Sequence, residues 1–221
     1  QALYSRVLGA PGPDTLVDGF VCDCCQLSFV PTTDGGALLA YRGRTKEEIR
    51  DMQLARFDGR TWSPPGPLNA DGWKIAGCPV NGPQLAQNGG LIGAVWFTAA
   101  DNQARVLART SDNAGETFGP VVRVDLGRPQ GRVDSVMLAD GTLVMSWLEM
   151  TGKDAGKQGG IYLRTLSLDG RLSEPQLVAP SSISRMSGFP RMVLLGGRRL
   201  LLTCTQDGEP SRVLTFSVEV N

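Results

Sequence analysis

An all-β fold is predicted by three features of the sequence. Apolar runs of strand length alternate with Gly-containing turns along the chain, helical periodicity is absent, and the turn dipeptides recur at a near-constant interval. Four segments follow one plan of an apolar strand, a tight turn and a second, more apolar strand. They are CQLSFVPTTDGGALLAYR (25–42), PQLAQNGGLIGAVWFT (83–98), DSVMLADGTLVMSWLE (134–149) and PRMVLLGGRRLLLTCT (190–205). Their turn residues, Asp34-Gly35, Asn88-Gly89, Asp140-Gly141 and Gly196-Gly197, lie 54, 52 and 56 residues apart. Such dipeptides between strand-like runs mark hairpins, because Asn, Asp and Gly accept the positive φ that tight turns need.

Behind each of the first three hairpins comes another: IRDMQLARFDGRTWSPPGPL (49–68), ARVLARTSDNAGETFGPVVRV (104–124) and GIYLRTLSLDGRLSEPQLV (160–178). ALYSRVLGAPGPDTLVD (2–18) reads as one more copy and SRVLTFSVEV (211–220) as half of one. A four-strand unit repeating at about 50 residues is the signature of a β-propeller blade. The expected units are 1–20 (half a blade), 21–70, 76–127, 131–180 and 188–221 (three strands), all within one domain. The count is seventeen strands, so the chain represents about four blades and is expected to be part of a larger ring. Its exposed blade edges would then be covered by another chain or by missing N-terminal blades, since an unpaired strand edge associates.

Composition narrows the function classes. The chain has 221 residues, 41% of them hydrophobic, enough for a sizeable core. Twenty-two basic residues balance twenty-two acidic ones with no dense basic run, which argues against nucleic acid as a partner. Runs such as LIGAVWF and LLLTCT fall well short of the roughly 20 apolar residues of a membrane helix. There is no histidine, so serine–histidine–acid machinery and histidine-rich zinc sites cannot be built from these residues. Acid–base work would fall to carboxylates, tyrosine, lysine or cysteine.

SDNAGETF (111–118) resembles the Asp-box of sialidase-type propellers, Ser-x-Asp-x-Gly-x-Thr-Trp/Phe, and FDGRTW (57–62) resembles a degenerate copy. The larger pattern of CDCCQ, EIRD, DGWKIAGCPVNGP and GRVD…SWLE is similar to bacterial sialidase-like propeller proteins often labelled exo-α-sialidase, over roughly residues 20–150. The resemblance implies a six-bladed sialidase-like ring, a secreted or periplasmic location with its signal not visible in this chain, and a glycosidase-type pocket for an acidic sugar. The Asp-box residues Ser111, Asp112, Gly115, Thr117 and Phe118 are expected to be structural, holding a turn on the face opposite the ligand site. The family's Arg-Ile-Pro motif and early-blade acid aspartate are absent, and no late tyrosine matches its nucleophile.

Propeller geometry gathers onto one rim the loops CDCC (22–25), RGRTKEEIRD (42–51), DGWKIAGCPVNG (71–82), GRVD (131–134), LEMTGKD (148–154) and SRMSGFPR (184–191). Arg42, Arg44, Arg132, Arg185 and Arg191 come from these loops; as a group they suit a carboxylate, and singly each suits a neighbouring acid. Substrate-binding candidates are Arg42, Arg132, Arg191, Asn81 and Trp73, the last of which could stack on a sugar or pack on a neighbouring blade. Glycoside hydrolysis needs an acid with a nucleophile or base, for which Asp51, Asp71, Asp134, Glu149 and Tyr41 are the candidates. The alternative is a non-catalytic propeller that binds a carbohydrate, a protein or a soft metal through its cysteine-rich rim.

Five cysteines complete the inventory. In an extended strand Cys22 and Cys24 would share one side and Cys25 the other, with Cys78 close by on the next blade. Three readings stand: a disulfide such as Cys22 to Cys78, a zinc or copper site held by Cys22, Cys24, Cys25 and Cys78, or packed thiols. No cofactor is required by the glycosidase reading. Cys204, inside LLLTCT, is expected in the core.

Overall fold

The computed structural model describes residues 1–9, 11–152 and 158–220. Lys153 and Asp154, part of one expected rim loop, lie outside the described residues. Seventeen strands follow in chain order. β1 (Leu3–Ser5) and β2 (Thr15–Asp18) form a two-stranded sheet. β3 (Ser28–Pro31), β4 (Ala37–Arg42), β5 (Met52–Phe57) and β6 (Gly66–Pro67) form the second sheet. β7 (Gln84–Asn88), β8 (Leu91–Thr98), β9 (Arg105–Ser111) and β10 (Val122–Arg123) form the third. β11 (Pro129–Met137), β12 (Leu143–Met150), β13 (Gln158–Leu166) and β14 (Gln176–Ser182) form the fourth. β15 (Gly188–Gly196), β16 (Arg199–Gln206) and β17 (Arg212–Glu219) form the last. Every pairing is antiparallel between consecutive strands, so each sheet is a meander.

The first strands of successive sheets, β3, β7, β11 and β15, pack one against the next, as the inner strands of propeller blades do. The hairpin turns fall where the dipeptides place them, with Pro31 opposite Ala37, Asn88 opposite Leu91 and Met137 opposite Leu143. Gly35, Gly89 and Gly141 take φ of 83°, 58° and 84°, which explains glycine at each.

Burial explains the strand patterns. All of β4 is buried, and so is almost all of β8 and β12. A second strand sandwiched between two neighbouring sheets is dry on both faces and reads as a continuous apolar run instead of an alternating one. Trp96 and Trp147 sit at these centres, in two clusters that join the second sheet to the third and the third to the fourth. The last sheet alternates instead: Met192, Leu194, Leu202, Cys204 and Phe216 face the core while Val193 (53% exposed) and Val213 (72%) face outward. At the other end Leu27 and Phe29 are 50% and 58% exposed beside β3.

Two arginines staple neighbouring sheets together on the same plan. Arg109 Nε and Nη2 donate to the carbonyls of Gly119 and Phe118 in their own sheet, and Nη1 reaches Leu68 O of the preceding one at 2.7 Å. Arg164 Nε donates to Ser173 O and its Nη1 to Val124 O at 2.8 Å. Arg109→Met should lower unfolding stability by about 2 kcal/mol through the stranded carbonyls. Urea denaturation checks this, and an unchanged midpoint would show that water replaces the guanidinium without cost.

Candidate functional site

The three later inner strands begin on one backbone device. Val80, Arg132 and Phe189 have φ of 52°, 54° and 50°, a left-handed conformation that costs non-glycine residues free energy and gathers at functional sites. Gly131 and Gly188, at φ of 79° and 82°, precede two of them. Asn81 ties these bulges together. Its Oδ1 accepts Arg132 N at 2.7 Å, and its Nδ2 donates to Gln130 O and Pro79 O at 3.2 and 3.3 Å. A Cβ at residue 131 would stand 2.3 Å from that Oδ1, so glycine is required there twice over.

Arg42 supports the same knot from below. It is fully buried and donates to four main-chain bonds: Nε and Nη2 to Asn81 O (3.0 and 2.7 Å), Nη2 to Phe97 O (2.8 Å) and Nη1 to Arg50 O (2.6 Å). Its guanidinium lies 4.7 Å from the Trp73 ring centroid. Burial pushes its pKa down. Both Arg42 and Trp73 are thus internal: Arg42 is no clamp for a ligand carboxylate, and of the two readings of Trp73, sugar stacking or packing on a neighbouring blade, the packed one holds. Trp73 packs edge-on against Phe97, and Arg44 pairs with Glu48.

The acid–base candidates are likewise committed to the protein's own donors. Asp51 accepts Trp73 N and Gly72 N, each at 2.9 Å, which pins loop 69–83. Asp71 accepts the indole N–H of Trp96 at 2.9 Å. Tyr41 donates to Asp18 Oδ2 at 2.6 Å, and burial with that carboxylate raises its pKa. Glu149 is buried and accepts Arg128 N (2.5 Å), Leu126 N (3.2 Å) and Trp147 Nε1 (2.6 Å). Asp134, also buried, accepts Met192 N at 2.5 Å and Arg191 Nη1 at 3.1 Å. Burial pushes both Glu149 and Asp134 above the usual carboxylate range.

Arginines collect at the lip between the fourth and fifth sheets. Arg132 is half-buried, donates to Ser187 O and stacks 4.9 Å from the Phe189 ring centroid. Arg185 lies near enough to depress its pKa further after burial has done so. Arg191 is half exposed and holds Asp134. Arg185 is exposed and makes no hydrogen bond or ion pair among the described residues.

The cysteine segment is a turn, where an extended strand was expected, and so all three of its sulfurs point into one space. Cys24 is bridged to Cys78, with Cα atoms 6.1 Å apart, so the cross-blade disulfide uses Cys24 instead of Cys22. Cys22 and Cys25 are free, with Sγ atoms 3.3 Å apart. The Cys25 hydrogen bond and Arg50, whose Nη1 is 3.4 Å away, lower the Cys22 pKa, while that bond and burial raise Cys25. Sequence reasoning overlooked that Cys22 and Cys25 stand at Cys-x2-Cys spacing. Cys204 is buried in the last core cluster.

The Asp-box turn lies on the opposite face, between β9 and β10. Ser111 Oγ donates to Asn113 Oδ1 (2.8 Å) and accepts Gly115 N (3.0 Å), and Thr117 N donates to Asn113 Oδ1 (3.0 Å). Asn113, not Asp112, thus occupies the motif's aspartate position, and Asp112 is exposed. Asp58 does the same for the turn after β5, accepting Arg60 N and Thr61 N at 2.8 and 2.7 Å. The turn after β13 repeats this bonding with Ser167 and Asp169, and it escapes the sequence pattern because Arg171 and Glu174 stand at the motif's glycine and aromatic positions.

No family model matches the chain, and no curated protein matches it. Among solved structures it is similar to a GH43_12 protein retrieved from the capybara gut metagenome, with 9% identity over 91% of this chain and a TM-score of 0.57. It is similar to an α-L-arabinofuranosidase from Fusarium graminearum solved with an iminosugar inhibitor (12%, 81%, 0.57) and to a GH62 hydrolase solved with xylotriose (12%, 90%, 0.51). The chain spans 41%, 60% and 65% of those chains. At such identities the likeness is one of fold: the chain is built as a β-propeller.

Glu149→Gln should lower stability by about 1–3 kcal/mol, because an amide must turn an N–H toward one of three buried donors. A raised folded-state pKa means that the carboxyl's share of stability is present below the ordinary range and is lost as pH rises through the elevated value. The gap between wild type and variant should therefore narrow as pH rises above the ordinary glutamate value of about 4; denaturation at several pH values checks the sign.

Proposed function

We propose that this chain is a carbohydrate-binding propeller unit whose arginine lip, Arg132, Arg185 and Arg191, grips the carboxylate of an acidic sugar of the sialic or uronic class. The observation that carries the reading is the gathering of three arginines at the lip between two adjacent sheets, Arg132 and Arg185 close enough for one charge to act on the other and Arg191 on Asp134. Two of them remain without a carboxylate partner among the described residues, and a planar fork of N–H donors matches an incoming carboxylate in two parallel bonds. The structural relatives act on or were solved with sugars and sugar mimics, which adds support for the ligand class. Binding is favoured over hydrolysis because Asp51, Asp71, Glu149 and Tyr41 spend their polar atoms on loop backbone, indoles and Asp18.

The test is a binding titration of the full-length protein against sialylated, uronic-acid and neutral oligosaccharides, with product release followed in parallel. Arg185→Ala and Arg132→Ala should each weaken acidic-sugar binding by about tenfold, and added salt should weaken it in the wild type. Equal binding of neutral and acidic glycans by the wild type, or acidic-sugar binding undiminished in both variants, would remove the carboxylate from the picture. Sugar release that vanishes in Asp134→Asn would replace binding by hydrolysis, with Asp134 as the acid.

A further inference from the structure

The rim carries a second set of reactive groups that sugar binding leaves unused. Cys22, Cys24 and Cys25 hold their Sγ atoms within 4.8 Å of one another, and Cys24 is bonded to Cys78. Cys22 Sγ therefore stands 3.6 Å from a disulfide sulfur and 3.3 Å from a free thiol. The Arg50 guanidinium donates to it at 3.4 Å, an arrangement that favours thiolate over thiol. Cys22 is buried at the bottom of this cluster, whereas Cys78 belongs to an exposed stretch of loop 69–83. Two residues separate Cys22 from Cys25, as in dithiols that open and close as disulfides.

We propose that Cys22, Cys24, Cys25 and Cys78 form a thiol–disulfide exchange site, in which Cys22 attacks the Cys24–Cys78 bridge and Cys78 is the sulfur that meets external disulfides. In the first step the Cys22 thiolate forms a bond to Cys24 Sγ, the Cys24–Cys78 bond breaks, and its electron pair leaves on Cys78. In the second, Cys25 gives up its proton and bonds to Cys22 Sγ, and the Cys22–Cys24 pair leaves on Cys24, which takes that proton. One disulfide and two reduced sulfurs exist before and after, so this relocation needs no oxidant. A small-molecule disulfide then accepts attack by the Cys78 thiolate, forming a mixed disulfide and releasing one thiol. Cys24 attacks Cys78 Sγ, restores the original bridge and releases the second thiol. Overall, the Cys22–Cys25 dithiol is oxidised and one external disulfide becomes two thiols.

The experiment treats the full-length protein with glutathione disulfide, quenches with acid and alkylating agent, and maps disulfides by peptide mass spectrometry. The wild type should consume one equivalent, release two of glutathione and acquire a Cys22–Cys25 bond. Cys22→Ser should react at least tenfold more slowly, Arg50→Met should be slowed, and Cys204→Ser should match the wild type. Cys25→Ser should halt with glutathione on Cys78, and its circular dichroism guards against a folding artefact. Glutathione on Cys22 in that variant, or a Cys22→Ser protein that reacts as fast as wild type, would overturn the proposal. So would stoichiometric zinc or copper held by the sulfurs of the isolated protein and lost in Cys22→Ser, which would make the cluster a metal site.

Discussion

Each complete sheet contains a second strand, β4, β8 or β12, that is dry on both faces, and a strand of that kind requires a neighbouring sheet on either side. The inner strands satisfy this by stacking in succession, which brings segments some 50 residues apart to a common rim. Everything at the site follows from that stacking. Trp96 and Trp147 fill the joints, and Arg109 and Arg164 lock the outer turns by binding carbonyls of the preceding sheet. Where a neighbour is missing, on the outer face of the last sheet, the strands revert to alternating burial.

The rim is organised by main-chain acceptors more than by ion pairs. Arg42 holds three carbonyls, two from loops and one from β8, and Asn81 joins two of the left-handed bulges. A charged donor among neutral carbonyls is worth more than an exposed salt bridge and fixes geometry in several directions at once. The same logic consumes the carboxylates: Asp51 and Glu149 each cap two backbone N–H groups of a loop that no strand supports. Loop order at the rim comes from polar groups that look catalytic when seen as residue types alone.

That is also why the fold was legible in the sequence and much of the site was not. Turn dipeptides and uninterrupted apolar runs are local signals, and Asp34-Gly35 or Asn88-Gly89 announces its hairpin wherever the sheet lies. Arg42 carries no such mark, because its partners are carbonyls that every residue possesses. Trp73 in its loop reads equally as a sugar platform or a packed side chain, and the choice is made by Asp51, which caps that loop with the indole against Arg42 and Phe97. The bridge to Cys78 was undecidable among three cysteines in four positions, since the turn at residues 22–25 sets the choice. The register of the Asp-box was readable: Ser-x-Asp spacing from Ser111 leads to Asn113.

The two chemistries of the rim meet at Asn81. Residues 72–75 of loop 69–83 are sewn to residues 48–51 by Arg50 N to Trp73 O and Ile75 N to Glu48 O, both 2.9 Å, and by the Asp51 cap. Beyond them the loop has the Cys24–Cys78 bond, then Asn81 three residues later. Around that bond residues 76–82 are held again, Asn81 O by Arg42 Nε and Nη2 and Gly82 N by Gln26 Oε1. Asn81 lies in that stretch and holds the Arg132 main chain in its left-handed bulge. The sulfurs therefore sit beside the loop that carries Asn81, and that asparagine joins their segment to the arginine lip.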